Sequence, residues 1–314
     1  MKIYLIIVGL VLLNSCGGIK KNTISKDAKL AQIETKAVVY NFDSEALIRN
    51  IKTLSNDSFT GRRTGTNGAK KSKNFIIDAF TKQEVLPVFE SFEQPFSFFT
   101  RGKSYKAVNV IGFMKGTAKS NKCIVISAHY DHEGVKSGEI YNGADDNASG
   151  TSALIAFAEY FKANPPKNNV ILAAFDGEEL GLQGAKYFVN NLTIPKQNII
   201  INLNMDMISR SDSNELFAVG TRYNQEFKTI VKNHTQVGQV KLIRAHEGLD
   251  SGDNWTYSSD HAEFFKAKIP FIYFGVADHE DYHKPTDDFD KIDQLFFKNA
   301  VQTVFNIFKD IDNL

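Results

Sequence analysis

Two acidic stretches, Asp145-Asp146-Asn147 and Asp176-Gly177-Glu178-Glu179, each stand between an apolar run and a segment of helical pattern. Carboxylates gathered at strand-to-helix junctions repel one another. They raise each other's pKa or destabilise the fold unless a cation sits among them. Other ligand-type residues occupy the same kind of position. The apolar run ending at Ala128 leads into His129-Tyr130-Asp131-His132, and the loop beyond it carries Asp145-Asp146. The run ending at Phe175 leads into Asp176, Glu178 and Glu179, and the run ending at Leu203 into Asp206. The run ending at Phe274 leads into His279, Asp281, Tyr282 and His283. Any one of these connections is ordinary loop polarity. Together they deliver His, Asp or Glu repeatedly to one edge of a sheet, which points to a centre for two metal ions. Imidazole combined with carboxylate suits zinc or a similar divalent transition metal.

The elements that must position these residues follow from the hydrophobic pattern. From Lys122 onward, short continuous apolar runs alternate with helical periodicity. Strands are expected at Cys123–Ala128, Val170–Phe175, Ile199–Leu203, Leu216–Val219, Gln239–Ile243 and Ile269–Phe274. Helices are expected at Ser149–Phe161, Leu180–Val189, Gln225–Val231, Ser259–Lys266 and Ile292–Phe308. Continuous apolar strands are buried on both faces. Strands alternating with helices predict an α/β fold, a mostly parallel mixed sheet with helices on both faces. Ligands of such sheets bind beyond the carboxyl ends of the strands. Before this region, Asp43-Ser44-Glu45 reads as a helix start, with Leu47, Ile48, Ile51 and Leu54 on one face. A second helix carries Phe75, Ile76, Ala79 and Phe80, and strands are expected at Val88–Phe99 and Ala107–Phe113. The loop Gly61-Arg62-Arg63-Thr64-Gly65-Thr66-Asn67-Gly68 invites a phosphate-binding reading. No apolar strand precedes it and no Gly-Lys-Ser/Thr ends it, so that reading is rejected.

Composition bounds the function. The 314 residues, 42% hydrophobic with 25 Phe, suffice for a large core. A formal charge of +1, from 37 basic and 36 acidic residues, gives no support for a nucleic-acid partner, which would need a basic surplus or stripe.

The N-terminus reads as a targeting segment. Lys2 is followed by the apolar run Ile3–Leu13, too short to span a bilayer and suited to a secretory signal. Leu13-Asn14-Ser15-Cys16 resembles a bacterial lipobox, with Asn14 a less usual middle residue. The resemblance implies a signal peptide over 1–15, cleavage before Cys16 and lipidation of its thiol. The protein would then be lipid-anchored in the bacterial cell envelope, at the periplasmic or outer face. Cys123, in an apolar run, reads as a small buried hydrophobe. Residues 16–42 read as a polar tether with a leading helical segment, and 43–314 as one catalytic domain.

The site motifs carry a family resemblance. His129-Tyr130-Asp131, the segment from Gly143 to Gly150, Gly177-Glu178-Glu179-Leu180-Gly181-Leu182-Gln183-Gly184, Asn204-Met205-Asp206-Met207 and Asp281-Tyr282-His283 resemble, in order, the motifs of the M28 zinc aminopeptidases. Ser259-Asp260-His261 is similar to a further recurring segment of that family. The resemblance runs from about residue 44 to the C-terminus and implies a compact member of zinc exopeptidase (phosphorylase/hydrolase-like) architecture. It implies two Zn2+ ions, with Asp146 bridging them. His129 and Asp206 would complete one shell, and Glu179 and His283 the other. Asp131 would hydrogen-bond the far nitrogen of His129 and fix its tautomer. Glu178, which ligates nothing, would be the general base for water activated between the ions. A cis peptide at Asp146-Asn147 is also implied. Tyr282, beside His283, is a candidate for stabilising the oxyanion, with Tyr257 its rival.

The remaining residues carry lesser expectations. Asp145 reads as a buttress of its loop, Asp260 and His261 as supports, His132 and His279 as rim residues, and His234 and His246 as surface residues. Lys284 stands where relatives often have Thr or Ser and would leave the metals intact while altering the rim or substrate preference.

The function implied is an aminopeptidase acting on peptide substrates and anchored to the membrane through Cys16. Three alternatives differ from it. Single-zinc glutaminyl cyclases of the same family are acyltransferases, disfavoured by the full set of five ligands. A carboxypeptidase would share the site, since nothing in the motifs sets peptide polarity. A non-enzymatic binding lipoprotein would have no use for Glu178.

Overall fold

The computed structural model describes residues 38–249 and 253–314. The expected signal peptide, Cys16 and most of the tether lie outside the described residues. The last tether residues are described and already packed. The Tyr40 hydroxyl donates to Asn299 at 2.9 Å, and Phe42 stacks on Phe305 with ring centroids 5.3 Å apart.

Strands β1 (Leu86–Pro87), β2 (Glu93–Thr100), β3 (Lys103–Met114), β4 (Cys123–His129), β5 (Gly134–Lys136), β6 (Glu139–Tyr141), β7 (Asn169–Phe175), β8 (Ile199–Met205), β9 (Glu215–Val219), β10 (Lys241–Ile243) and β11 (Phe271–Gly275) follow in chain order. The main sheet has the order β1-β3-β7-β4-β8-β11-β9-β10, with β2 also paired to β3. Its centre, β7-β4-β8-β11, is parallel. β3 on one side and β9 on the other are antiparallel to their central neighbours. The sheet is thus mixed, with a parallel core. All the sequence-expected ligands leave the carboxyl ends of those four parallel strands or the loops that follow them.

Period-two alternation sends the apolar residues of this centre to both faces. Ile124 and Ile126 of β4, with Val170, Leu172 and Ala174 of β7, enter one core. Cys123 and Val125, with Ile171, Ala173 and Phe175, enter a second core. Helices cover both faces. Helix α1 (Ser44–Leu54) is capped by the Asp43 carboxylate, which accepts from the Glu45 and Ala46 amides. It buries Leu47, Ile48, Ile51 and Leu54 against α3 (Gly150–Ala163) and α7 (Gln294–Asp312). On that face α2 (Asn67–Lys82) buries Ile76 and Phe80, and α5 (Gln225–Asn233) buries Phe227 and Val231. Phe157 of α3 stacks on Phe305 of α7 with centroids 3.8 Å apart. Helices α4 (Gln183–Asn190) and α6 (His261–Lys266) close the other face through Phe188 and Phe264. Cys123 is buried there, and burial pushes its thiol up to about 12, as expected for a small hydrophobe.

Some boundaries differ from expectation. Helix α4 starts at Gln183 rather than Leu180, because Gly181 and Leu182 take left-handed conformations. The hairpin β5-β6 has three-residue strands, too short for periodicity to show. The expected strand Val88–Phe99 is broken by a bend before Glu93.

Candidate metal centre

The four parallel strands end on one edge and bring the expected residues together. His129 closes β4, and its Nε2 lies 3.2 Å from Asp206 Oδ1 and 3.4 Å from Asp146 Oδ1. Asp206 follows β8 directly, its amide held by the Phe274 carbonyl at 3.0 Å. The other oxygen of Asp146 faces a different set. His283 Nε2 is 3.1 Å from Asp146 Oδ2 and 3.4 Å from Glu179 Oε2. The two carboxylate oxygens of Asp146 therefore divide between two clusters of ligand-type atoms. The Asp146-Asn147 peptide is cis, as the family resemblance implies.

The orientation of these groups is set from behind. His129 Nδ1 donates to the Asp131 carbonyl at 3.1 Å, which turns Nε2 toward the carboxylates. The Asp131 carboxylate, expected on that nitrogen, is 3.8 Å away. It instead accepts the Glu178 amide at 3.1 Å and lies 3.1 Å from the Thr64 hydroxyl. Its effect on the site thus runs through the backbone of Glu178. Asp176 is tied to the Val108 amide at 3.0 Å and to Thr64 at 2.7 Å, which anchors the start of the Glu178-Glu179 turn.

Asp145 turns away from the clusters. Its Oδ1 accepts from the amide and the hydroxyl of Ser209, both at 2.7 Å, and its Oδ2 lies 3.2 Å from His279. It buttresses the loop, as expected, and His279 serves it instead of the rim. Tyr282 stacks on His283 with centroids 4.0 Å apart. Its hydroxyl pKa is raised by burial, with Asp146, Asp206 and Glu179 adding to the effect. Tyr257 is 56% exposed and rests on Phe265. His246 is no free surface residue, since it stacks on Trp255 at 3.8 Å. His234 is partly buried and capped by the Val231 carbonyl at 2.8 Å. Lys284 is exposed at the rim. Asp260 is buried beside the site with neither carboxylate oxygen hydrogen-bonded, and burial pushes its pKa up to about 7.

His132 departs from its expected place. It is fully buried rather than at the rim, with Nδ1 2.7 Å from Glu179 Oε1 and 3.6 Å from Asp146 Oδ2. Burial lowers its pKa to about 3, so the ring is neutral at physiological pH.

The charges do not balance without a cation. Burial raises the Glu178 carboxyl well above its ordinary range, with Glu179, Asp260 and Asp206 adding to the effect. Burial and Glu179 raise Asp146, and burial raises Glu179. Burial disfavours the charged form of His129, yet Asp206 and Glu178 outweigh it and hold the pKa well above normal. His132 Nδ1, His132 Nε2 and Glu179 Oε1 are buried without a hydrogen-bond partner. Buried polar atoms left unpaired, among carboxylates that repel one another, fit a site for divalent cations bound by nitrogen and oxygen.

Residues 109–308 match the sequence model of Peptidase family M28. The chain belongs to peptidase family M28. Among curated relatives, aminopeptidase YwaD of Bacillus subtilis (strain 168) is 28% identical over 304 residues, covering 93% of this M28 chain and 60% of that protein. The alkaline phosphatase isozyme conversion protein of Escherichia coli (strain K12) is 27% identical over 203 residues, covering 60% and 57%. The M28 chain thus spans less than two thirds of either relative's length. Among solved structures, the zinc aminopeptidase BSAP from Bacillus subtilis superposes with a TM-score of 0.67 at 17% identity, over 86% of this chain and 95% of that one. A glutaminyl cyclase from Porphyromonas gingivalis gives 0.70 at 17% identity, over 87% and 99%. At such identities the likeness is one of fold.

Two residues that hold the M28 site escaped the sequence reading. Arg62, from the rejected phosphate loop, is buried with its guanidinium donating to backbone carbonyls. It reaches Tyr130, Leu54 and Gly143, each at 2.9 Å, Asp146 at 3.4 Å, and Asn142. Asp287 accepts the amides of Asp145 at 3.0 Å and Asp146 at 3.1 Å. Together they clamp the Asp145-Asp146 loop from both sides. The glycines flanking Arg62 signalled an unusual loop, but no local pattern marks an arginine as buried.

Proposed function

We propose that this M28 chain is a zinc aminopeptidase with two metal ions, removing N-terminal residues from peptides. The observation that carries the reading is the division of Asp146: one oxygen faces His129 and Asp206, the other His283 and Glu179. His129 and Asp206 would hold one zinc, Glu179 and His283 the other, and Asp146 both. Two such ions, when bound, polarise the scissile carbonyl and lower the pKa of water beside them. Glu178 lies outside both clusters and is half-buried next to them. Its carboxylate takes the proton from the attacking water and returns it to the leaving amine nitrogen. Asp131 fixes the Glu178 backbone, and its carbonyl sets the tautomer of His129. The Tyr282 hydroxyl can donate to the oxyanion that develops at the carbonyl. Tyr282→Phe is expected to lower kcat by about 10- to 100-fold with little change in KM.

The test is metal analysis together with a panel of aminoacyl-anilides, with and without chelator. Two zinc ions per chain and chelator-sensitive release of the anilide support the reading. No chelator-sensitive cleavage of any free-amine substrate contradicts it. Solved glutaminyl cyclases share the fold equally well, which favours one second reading, an acyltransferase holding a single zinc. Cyclisation of a glutaminyl peptide by a chain holding one zinc would establish it. Carboxypeptidase polarity would show as cleavage of N-blocked, free-carboxylate peptides.

The lipobox-like Leu13-Asn14-Ser15-Cys16 supports anchoring in the bacterial cell envelope through a lipidated Cys16. No helix among the described residues is long and apolar enough to cross a membrane. Wild-type chain partitioning into detergent, and Cys16→Ser remaining in the aqueous phase, would bear this out. Equal partitioning of the two would refute it.

A further inference from the structure

The family resemblance implies five ligands, yet a sixth residue points into the cluster. His132 is the histidine, among the described residues, whose two ring nitrogens are both buried and both unpartnered. Other buried histidines find protein partners: His261 Nε2 meets the Trp255 carbonyl at 2.8 Å. His132 Nδ1 is 2.7 Å from Glu179 Oε1, and neither atom is hydrogen-bonded. At that separation only misdirection prevents a hydrogen bond. A nitrogen and an oxygen set close together but not aimed at each other suit a shared third partner. Nδ1 also lies 3.6 Å from Asp146 Oδ2, the oxygen that faces His283.

The neighbours of His132 narrow the choice of that partner. Glu133, adjacent in sequence and also near Glu179 and His283, is neutralised by Arg63 at 3.2 Å and Lys136 at 2.6 Å. It is therefore not free to join the cluster as a ligand. The ring of His132 lies close against Gly143 of the Asp146 loop. A Cβ on Gly143 would come within 2.4 Å of its Cδ2 and 2.0 Å of the Asp146 carbonyl. The glycine, at a φ of +54°, lets loop and imidazole meet at that distance.

We propose that His132 Nδ1 is a direct ligand of the second metal ion, joining Asp146, Glu179 and His283. The inference rests on the two-zinc reading above. It makes the two shells unequal, with one imidazole in the first and two in the second. Nitrogen-rich shells favour zinc and later transition metals over magnesium or calcium. It also gives partners to Nδ1 and to Glu179 Oε1 at once.

Zinc X-ray absorption on the zinc-loaded full chain counts the imidazoles directly. With His129, His132 and His283 all bound, scattering corresponds to about 1.5 imidazoles per ion. About 1.0 per ion in a chain holding two zinc ions overturns the proposal and leaves the two-zinc reading intact. Fewer than two ions per chain sinks that reading, and this ligand with it. As a second measurement, His132→Gln is titrated against a competing chelator. The weaker of the two zinc equivalents should lose affinity by about 100-fold while the other is unchanged, the upper range for disturbed metal surroundings. Unaltered affinity for both ions in this variant would also overturn the proposal.

Discussion

Replacing Arg62 tests whether the bridging loop is built from behind. Its guanidinium is fully buried and serves the carbonyls of Leu54, Tyr130, Asn142, Gly143 and Asp146. Burial lowers its pKa to about 10, so it stays charged at neutral pH, opposite Asp146, Asp287, Asp131 and Glu179. Arg62→Met keeps much of the volume and removes every donor. Buried acceptors left unpaired cost about 1–3 kcal/mol each, though relaxation and water recover part of this. Removing one side of a buried charged network costs about 3–5 kcal/mol. A net loss of about 4 kcal/mol, at about 2 °C per kcal/mol for a chain of this size, lowers Tm by roughly 8 °C. The loop that carries Asp146 loses its clamp as well, so zinc affinity should fall by about 10- to 100-fold. Arg62→Lys keeps the charge but cannot reach five acceptors, and should fall between the two. Differential scanning calorimetry and zinc competition on the three proteins provide the assay. A methionine variant melting within about 2 °C of wild type, with unchanged zinc affinity, would refute the reasoning.

Three other expectations follow from the same structure. Phe305→Ala removes a ring stacked between Phe157 and Phe42 and should cost about 3–5 kcal/mol, seen as a lowered denaturation midpoint with KM unchanged. An unaltered midpoint would mean that α7 does not hold the core as described. In a Cys16→Ser background, the Cys123 thiol, pushed up to about 12 by burial, should resist iodoacetamide at pH 8 until denaturant is added; rapid labelling of the native protein would contradict its burial. In zinc-free protein, burial and Asp145 raise Asp287 to about 7, and burial raises Asp260 to about 7. Burial works against a charged His283, but Asp146 and Glu179 raise it to about 9. The folded chain therefore keeps protons that the unfolded chain releases, and its stability falls as pH rises from about 6.5 to about 9. Between about 4 and 6.5 the raised Asp287 and Asp260 act in the same sense, while His132 and His261, lowered by burial to about 3 and about 4, oppose them. Melts of chelated protein across the window should show the fall and zinc should flatten it; a rise in stability would contradict the charge assignment.

What could be read from the sequence and what could not divide along physical lines. The parallel centre was legible because strands buried on both faces carry continuous apolar runs, as in Cys123–Ile126 and Val170–Phe175. The ligand-type residues at their ends were legible because chemistry at strand termini breaks that pattern abruptly. The cis peptide at Asp146-Asn147 came with the family resemblance and not from the residues themselves. Arg62, Asp287 and His132 were illegible for a common reason. Each is polar, lies in a loop and has no periodicity, and its burial is decided by segments distant in sequence. Arg62 and the Asp146 carbonyl are 84 residues apart, and Asp287 and the Asp145 amide 142. The β5-β6 hairpin stayed hidden because three-residue strands carry no measurable alternation.

The central claim is that Glu178 moves protons beside two ions that it does not bind. Glu178→Gln keeps the size of the side chain and removes the base. The direct measurement is zinc content and kcat on an aminoacyl-anilide, taken on the same preparation. The account predicts two zinc ions retained and kcat reduced by about 10²- to 10⁴-fold, with KM little changed. Wild-type turnover by a Glu178→Gln chain that holds both ions would contradict it.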